Sequence, residues 1–199
     1  FIAVQPVEDG REFGVFMKPE RKLSLEDAKR VMRDHFDGSE HDPYSHGLNG
    51  NEPWRPVSVF RTYEAHVMQV RPWLSRAIGD VIYIAFGMAD LSCFMPFYQG
   101  LEQVPGHYGI GTCQADSSSV YWKFRKLQTL VMTDYQAYAP IVKKAFGDQE
   151  RAMTAKQEQM EKQYVELIKS DKKAANTLLQ KTNLELLAEC EALAEDLTN

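Results

Sequence analysis

The sequence predicts an α+β fold, with strands in the first half of the chain and long helices in the C-terminal third. Runs of β-branched and aromatic residues occupy positions 57–98, whereas apolar residues recur at helical spacing from Ser118 onward. Strands and helices are segregated along the chain instead of alternating, which is typical of α+β proteins. We therefore expect residues 1–117 to be mainly strands and loops, and residues 118–199 to form a helical layer.

The first clear element is a helix at about residues 24–36. Ser24 is a candidate N-cap and Asp27 follows three residues later, as in a capping box. Five residues at helical spacing would give this helix one packing face: Leu25, Ala28, Val31, Met32 and His35. Residues 37–56 are dense in Gly, Pro, Asn and Asp, so we expect a long irregular connection that contains a turn at Asp42.

Three strands are expected next, at about 57–71, 78–86 and 91–98. The second run, AIGDVIYIAFG, is nearly continuous in apolar residues, which predicts a strand covered on both faces. Side chains alternate across a strand, so Glu64, His66 and Met68 would share one face of the first strand. The glycines of GHYGIGTC at 106–113 lack the order of a phosphate-binding loop, so we interpret that stretch as a turn-rich connection.

The C-terminal third carries apolar stripes at helical spacing. The stripes comprise Val120, Phe124, Leu127 and Val131, then Met153, Met160, Tyr164 and Leu167, and finally Leu179, Leu186, Cys190, Leu193 and Leu197. Ser118 or Ser119 would cap the first of these helices, and Asp171 the last. Because the spacing is too irregular for sustained heptads, we interpret these helices as a packing layer instead of a partner-binding coiled coil.

Composition and charge exclude several functional classes. The chain has 199 residues, of which 44% are hydrophobic and 26% charged, so it can bury a sizeable core. Its net charge of −5 is interspersed and without a basic block, which argues against a nucleic-acid partner. No apolar run approaches the ~20 residues of a membrane helix. Three distant cysteines without a CxxC pair indicate neither a disulfide framework nor a zinc site, and fit a cytoplasmic protein.

The sequence contains only weak signals for a metal site or for a catalytic nucleophile. Five potential ligands lie in the loop DGSEHDPYSH, namely Asp37, Glu40, His41, Asp42 and His46. They lack a fixed-geometry spacing such as HExxH, so we expect no metal site. Cys93 lies among apolar residues, which predicts a buried structural thiol of little reactivity. The serines of DSSSVYW are not part of a GxSxG elbow.

The remaining candidate is the ionisable strand RPVSVFRTYEAHVMQVRPW at 55–73. Arg61, Glu64 and His66 could orient a substrate carboxylate or support a catalytic group. Composition alone favours the other interpretation, in which Arg61 and Glu64 form a surface ion pair and His66 is a hydrogen-bonded edge residue.

Four stretches carry a family resemblance: RPVSVFRTYEAHVMQVRPW, IYIAFGMADLSCFMPFYQG, DSSSVYWKFRKLQTLVMTDYQAYAPIVKKAF and LELLAECEALAEDLTN. In order, spacing and aromatic content they resemble the dipeptidase A family of lactic acid bacteria and its secernin relatives. The resemblance extends from about Ser24 to Asn199.

This resemblance implies a cysteine peptidase of the N-terminal-nucleophile class, with an αββα sandwich of two sheets between helical layers. In such enzymes the first residue of the mature chain is the nucleophile, and its own amino group can act as base. A thioester acyl-enzyme forms and is hydrolysed by water. The implied substrates are dipeptides, and the implied chemistry needs neither a metal nor an organic cofactor.

The same resemblance implies that the catalytic cysteine lies outside this chain, because Phe1 has no nucleophilic atom. We therefore expect this chain to be the C-terminal portion of a dipeptidase and to be inactive alone. Its expected partner is the N-terminal half of the same enzyme, and the sequence leaves open whether the enzyme forms a homo-oligomer. By analogy, Arg61 would lie near the substrate, with Glu64 and His66 as supporting groups. Either the loop from Asp90 to Ser92 or the helix start from Asp116 to Trp122 would form a wall of the pocket. The expected pocket residues are Arg61, Glu64, His66, Asp90, Ser92, Asp116 and Trp122.

Two alternatives stay open at this point. The chain could be a non-catalytic binding or scaffolding module that uses the Arg61 face and loop 37–56 to hold a ligand. It could also be a separately matured subunit, although such subunits begin with Cys, Ser or Thr and Phe1 argues against this.

Overall fold

The computed structural model of the protein describes residues 18–45 and 55–199. Within them the fold is α+β, as predicted: a small antiparallel sheet precedes a helical C-terminal part. The helices and strands are α1 Leu25–Arg33, β1 Glu64–Val70, α2 Arg76–Gly79, β2 Asp80–Phe86, β3 Met95–Tyr98, α3 Val120–Val131, α4 Tyr135–Leu167 and α5 Lys172–Asp196.

Helix α1 begins as predicted and ends early. The Ser24 hydroxyl accepts from the backbone N–H of Asp27, and the Asp27 carboxylate accepts from the backbone N–H of Ser24, which completes a capping box. The helix ends at Arg33, because the backbone of the next residue is extended. His35 therefore lies beyond the helix, and Val31 is exposed. The prediction was therefore wrong that His35 is in the helix and that Val31 packs, whereas Leu25 and Met32 do pack against the core.

The three strands form one sheet in the order β1-β2-β3, with antiparallel pairing between neighbours. All three predicted strands exist, but each begins later than predicted. Residues 60–61 form a turn before β1, α2 is a single helical turn before β2, and Ala89–Leu91 forms a 3-10 turn before β3. The predicted starts were wrong because β-branched composition does not reveal these turns.

The two faces of the sheet have different surroundings. One face is buried against α4 and α5 through Ala65, Val81, Tyr83, Ala85 and Tyr98. On the other face, Met68 is 67% exposed and its cross-strand partner Ile82 is 41% exposed. The prediction that the second strand is covered on both faces was therefore wrong. Within the described residues, only part of this second face is covered, where Tyr108 packs near Phe86 and Phe97.

The end of β2 is fixed to α3 by one buried amide. Gln128 donates to the carbonyl of Phe86 and accepts from the backbone N–H of Met88. Gly87, between them, has φ of +72°, and a Cβ there would lie 2.1 Å from the Gln128 Oε1. Glycine is required at this position because the side-chain amide of Gln128 occupies the space.

The helical part buries the predicted stripes. Val120, Phe124, Leu127 and Val131 are buried along α3, and α4 and α5 pack against each other. The predicted cap is confirmed at Asp171, whose carboxylate accepts from Ala174. These contacts confirm a packing layer. Among the described residues, no helix is both long and apolar enough to cross a membrane.

Candidate functional site

The exposed part of the second sheet face is the floor of an open groove of about 650 Å³. The groove is lined by strand residues and by the 3-10 turn at Gly106–Gly109, and includes Glu64, His66, Met68, Ile82, Ile84, Phe86, Phe97, Val104 and Tyr108. That turn lies in the Gly-rich stretch that the sequence predicted to be a connection. The groove therefore has mostly apolar walls and a small number of polar groups, which is typical of small-molecule sites.

Glu64 and His66 are the ionisable residues of this groove. They share one face of β1, as predicted from their two-residue spacing, and Nδ1 of His66 lies 3.0 Å from Oε1 of Glu64. The side chain of His66 is 49% exposed and that of Glu64 is 45% exposed. Such an exposed pair contributes at most about 1 kcal/mol to stability. Among the described residues, His66 makes its hydrogen bonds through Nδ1, so Nε2 is available to a ligand.

Arg61 lies apart from that pair. It is exposed in the turn before β1, so it does not share the strand with Glu64 and His66 as the sequence predicted. The turn is fixed from outside the strand: the hydroxyl of Tyr44 accepts from the backbone N–H of Phe60. Burial raises the pKa of Tyr44, and the charge of Arg61 opposes that rise.

Asp90 and Ser92 were expected to form a wall of the pocket. Both are buried, and neither lines the groove. The Asp90 carboxylate accepts from Tyr135 and Lys143, and the Ser92 carbonyl accepts from Arg33. These two residues hold the loop before β3 in the interior.

Asp116 and Trp122 line a different cavity, of about 750 Å³, between α3 and the end of α5. The Asp116 carboxylate accepts from the backbone N–H and the hydroxyl of Ser118, and these hydrogen bonds lower its pKa. The indole N–H of Trp122 donates to the hydroxyl of Thr112 at 3.1 Å. Helix α3 begins at Val120, and the structure separates this helix start from the Glu64 groove.

A buried polar cluster, which sequence reasoning missed, surrounds His35. Its Nδ1 is 3.0 Å from the Asp42 carboxylate, and its Nε2 is 3.2 Å from Asp90, 3.2 Å from the Lys143 ammonium and 3.1 Å from the Tyr135 hydroxyl. The His35 side chain is only 1% exposed. We call these five residues the His35 cluster. It joins the segment after α1, the 3-10 turn before β3 and the first turns of α4.

Ionisable groups of the His35 cluster shift the pKa of one another. Burial opposes a charged imidazole, but the hydrogen bond and charge of Asp90 outweigh it, so the pKa of His35 is raised. Burial likewise opposes the charged form of Asp90, yet His35 and Lys143 hold the pKa of that carboxyl below its usual range. The Asp90 carboxylate therefore faces both the His35 imidazole and the Lys143 ammonium, and buried polar groups paired in this way are stable in the interior.

The same region contains the metal candidates of the described residues. His35, Asp37 and Asp42 each offer a ligand atom, and these atoms lie within 4.8 Å of one another. Both ring nitrogens of His35 already face partners, and the Lys143 ammonium is 3.9 Å from Asp37. A metal ion would have to displace these contacts. His46, another loop ligand suggested by the sequence, lies outside the described residues.

Comparisons with known proteins find a peptidase family model and relatives that are named as dipeptidases. The sequence model of the family described as Peptidase family C69 matches residues 3–147. A probable dipeptidase of Salmonella dublin is 51% identical over 105 residues, which are 53% of this chain and 23% of that protein. Probable dipeptidase B of Lactococcus lactis is 26% identical over 140 residues, which are 68% of this chain and 30% of that protein.

A third relative is also named as a dipeptidase. The dipeptidase of Bifidobacterium longum is 30% identical over 117 residues, which are 57% of this chain and 22% of that protein. The matched part of the chain thus spans less than a third of the length of each of these curated relatives.

Proposed function

This chain belongs to peptidase family C69, and we propose that it is the C-terminal portion of a longer, cytoplasmic cysteine dipeptidase. The observation that carries this proposal is the family match over residues 3–147, together with 51% identity to a protein named probable dipeptidase. The matched stretch is 23% of that relative, which supports a longer parent protein.

The proposed reaction is hydrolysis of a dipeptide by an N-terminal cysteine that lies in another part of the parent. Its thiolate attacks the scissile carbonyl, the amine of the second amino acid leaves with a proton, and a thioester remains. Water then hydrolyses the thioester and releases the first amino acid. Cys93 and Cys190 are fully buried in the core, and Cys113 is exposed but internal, so its nitrogen is an amide that cannot act as base. These properties support a nucleophile outside this chain.

We propose that the end of the second sheet face at Met68, Val70 and Ile82 packs against another sheet of the parent, as in an αββα sandwich, and that the Glu64 end of the groove stays open. Met68, Val70 and Ile82 are exposed apolar residues on this face. A contiguous exposed apolar surface is typical of a region that another layer covers. This chain would then supply one sheet and one helical layer of the sandwich.

Glu64 and His66 are the proposed polar groups at the edge of the dipeptide pocket. They stand in an otherwise apolar groove, so a peptide could place a side chain on Phe86 and Phe97 and its polar ends on this pair. Arg61, in the turn before β1, is the proposed partner for a peptide carboxylate, which a guanidinium can hold through two parallel hydrogen bonds.

The test is dipeptide hydrolysis by the parent protein, measured as amino acids released from a panel of dipeptides. We expect hydrolysis that persists after metal chelation and is lost after alkylation of the N-terminal cysteine. Arg61→Ala should lower kcat/KM at least tenfold, with Arg76→Ala as a control because Arg76 is an exposed arginine on α2. An unchanged kcat/KM would remove Arg61 from the pocket.

A parent protein that binds dipeptides without hydrolysing them would overturn the peptidase proposal. The groove would then belong to a binding module, the alternative that the sequence left open. Equilibrium dialysis with the same dipeptide panel distinguishes these outcomes.

A further inference from the structure

A pair of buried cysteines lies where the loop before β3 meets α5. Cys93 and Cys190 are 97 residues apart in the sequence, yet their Sγ atoms are 3.1 Å apart. Both are free thiols with no exposed surface. We propose that the Cys93–Cys190 pair is a modification site, at which a small-molecule disulfide oxidises the two thiols to an intrachain disulfide.

The surrounding contacts favour closure of this bond. A disulfide bond is about 2.05 Å long, so the two sulfur atoms need to approach by only about 1 Å. Helix α5 is already fixed to β3, because the Asn183 amide donates to the carbonyl of Pro96 at 3.0 Å. The backbone segments that the disulfide would link are therefore held side by side in the reduced protein.

A third sulfur atom lies at this site and could compete with the thiols for an oxidant. Sδ of Met153 lies 3.3 Å from Sγ of Cys190. An oxidant that transfers oxygen would add to such a thioether, whereas a disulfide reagent exchanges with thiols. We therefore specify a low-molecular-weight disulfide, such as glutathione disulfide, as the co-reactant.

The reaction balances in two exchange steps. The thiolate of one cysteine attacks the small disulfide, breaks its S–S bond and releases one small thiol. The thiolate of the other cysteine then attacks the protein sulfur of this mixed disulfide and releases the second small thiol. The two protein thiols lose two protons and two electrons, and the small disulfide becomes two thiols.

Burial sets the rate of this oxidation. It raises the pKa of the Cys93 thiol, and the hydrogen bond with Cys190 raises it further. Both thiols are fully buried, so a small disulfide reaches them only when the core opens locally around α5. We expect oxidation to be slow in the native protein and faster in sub-denaturing urea.

The experiment uses the chain with Cys113→Ser, because Cys113 is exposed and shares the tryptic peptide 77–123 with Cys93. The variant is incubated with glutathione disulfide in sub-denaturing urea, returned to buffer, alkylated and analysed by mass spectrometry without reduction. We expect a mass loss of about 2 Da, no alkylation, and peptides 77–123 and 182–199 joined. Dithiothreitol should restore two alkylatable thiols.

A matched control carries Cys190→Ala in addition and should give no joined peptides. The oxidised chain should keep the circular dichroism spectrum of the reduced chain and unfold at a higher urea concentration. Three results would overturn the proposal: separate glutathione adducts on the two cysteines, thiols that stay free, or joined peptides in a chain that has lost its helical spectrum.

Discussion

Two histidine–carboxylate pairs in this protein have the same distance and opposite surroundings. Nδ1 of His35 is 3.0 Å from Asp42, and Nδ1 of His66 is 3.0 Å from Glu64. The first pair is 1% and 6% exposed, whereas the second is 49% and 45% exposed. Geometry alone therefore does not distinguish a structural pair from one that is available to a ligand.

The partners of each histidine make the distinction. Both ring nitrogens of His35 face buried partners, including Asp90 and Lys143, so this histidine holds the loop before β3 to α4. His66 has one carboxylate partner and stands in an open groove with apolar walls. Electrostatic interactions are stronger in the buried pair, because the interior screens charges less than water does. The exposed pair contributes little to stability and is accessible to a ligand.

The largest expected difference between the two regions is in stability. Asp90→Asn removes the carboxylate that faces the Lys143 ammonium and the buried His35 imidazole, and should lower the free energy of unfolding by about 3 kcal/mol. Glu64→Gln should lower it by less than about 1 kcal/mol, because its partner stays solvated. Urea unfolding of both variants, followed by circular dichroism, measures the difference. Equal losses would contradict the structural role of the His35 cluster.

A second expected difference is between this chain alone and the parent protein, in which another layer would cover the second sheet face. Met68→Ser should leave the stability of this chain nearly unchanged, because Met68 is exposed. In the parent protein the same substitution should cost about 2 kcal/mol, because burial of a methionine contributes about that much. Leu130→Ser, at an exposed leucine on α3, is the matched control. A small cost in both proteins would mean that the face stays uncovered.

The smallest expected difference is the response to pH. The pKa of His35 is raised, so its contribution to stability is complete below about pH 6.5 and is lost as the pH rises through the higher pKa of the folded state. The free energy of unfolding should therefore fall above about pH 6.5. His35→Gln should remove this fall, whereas His66→Gln should keep it. Unfolding curves across that pH range would contradict the account if the two variants behaved alike.

The sequence predicted most of the fold because its signals are local. Helical periodicity identified the buried side of α3, and alternation placed Glu64 and His66 on one face. The start of β1 was wrong, because the turn before it depends on Tyr44 and Arg125, which are distant in sequence. Local patterns do not contain such contacts.

The same reason explains why the His35 cluster was missed. Tyr135 and Lys143 contact His35 from 100 and 108 residues away. The turn at Asp42 was predicted and is confirmed, since its carboxylate accepts from the backbone N–H of Tyr44. That carboxylate also faces His35, and the Asp-Pro signal of the turn does not reveal this second partner.

The most direct test of the account compares two histidine variants of the parent protein. His66→Gln and His35→Gln are each measured for dipeptide hydrolysis, as kcat/KM per folded molecule, and for unfolding in urea. We predict that His66→Gln lowers kcat/KM at least tenfold with little change in stability, and that His35→Gln lowers stability while kcat/KM stays within about twofold. The reverse pattern would contradict the assignment of the groove as the pocket and of the His35 cluster as a structural element.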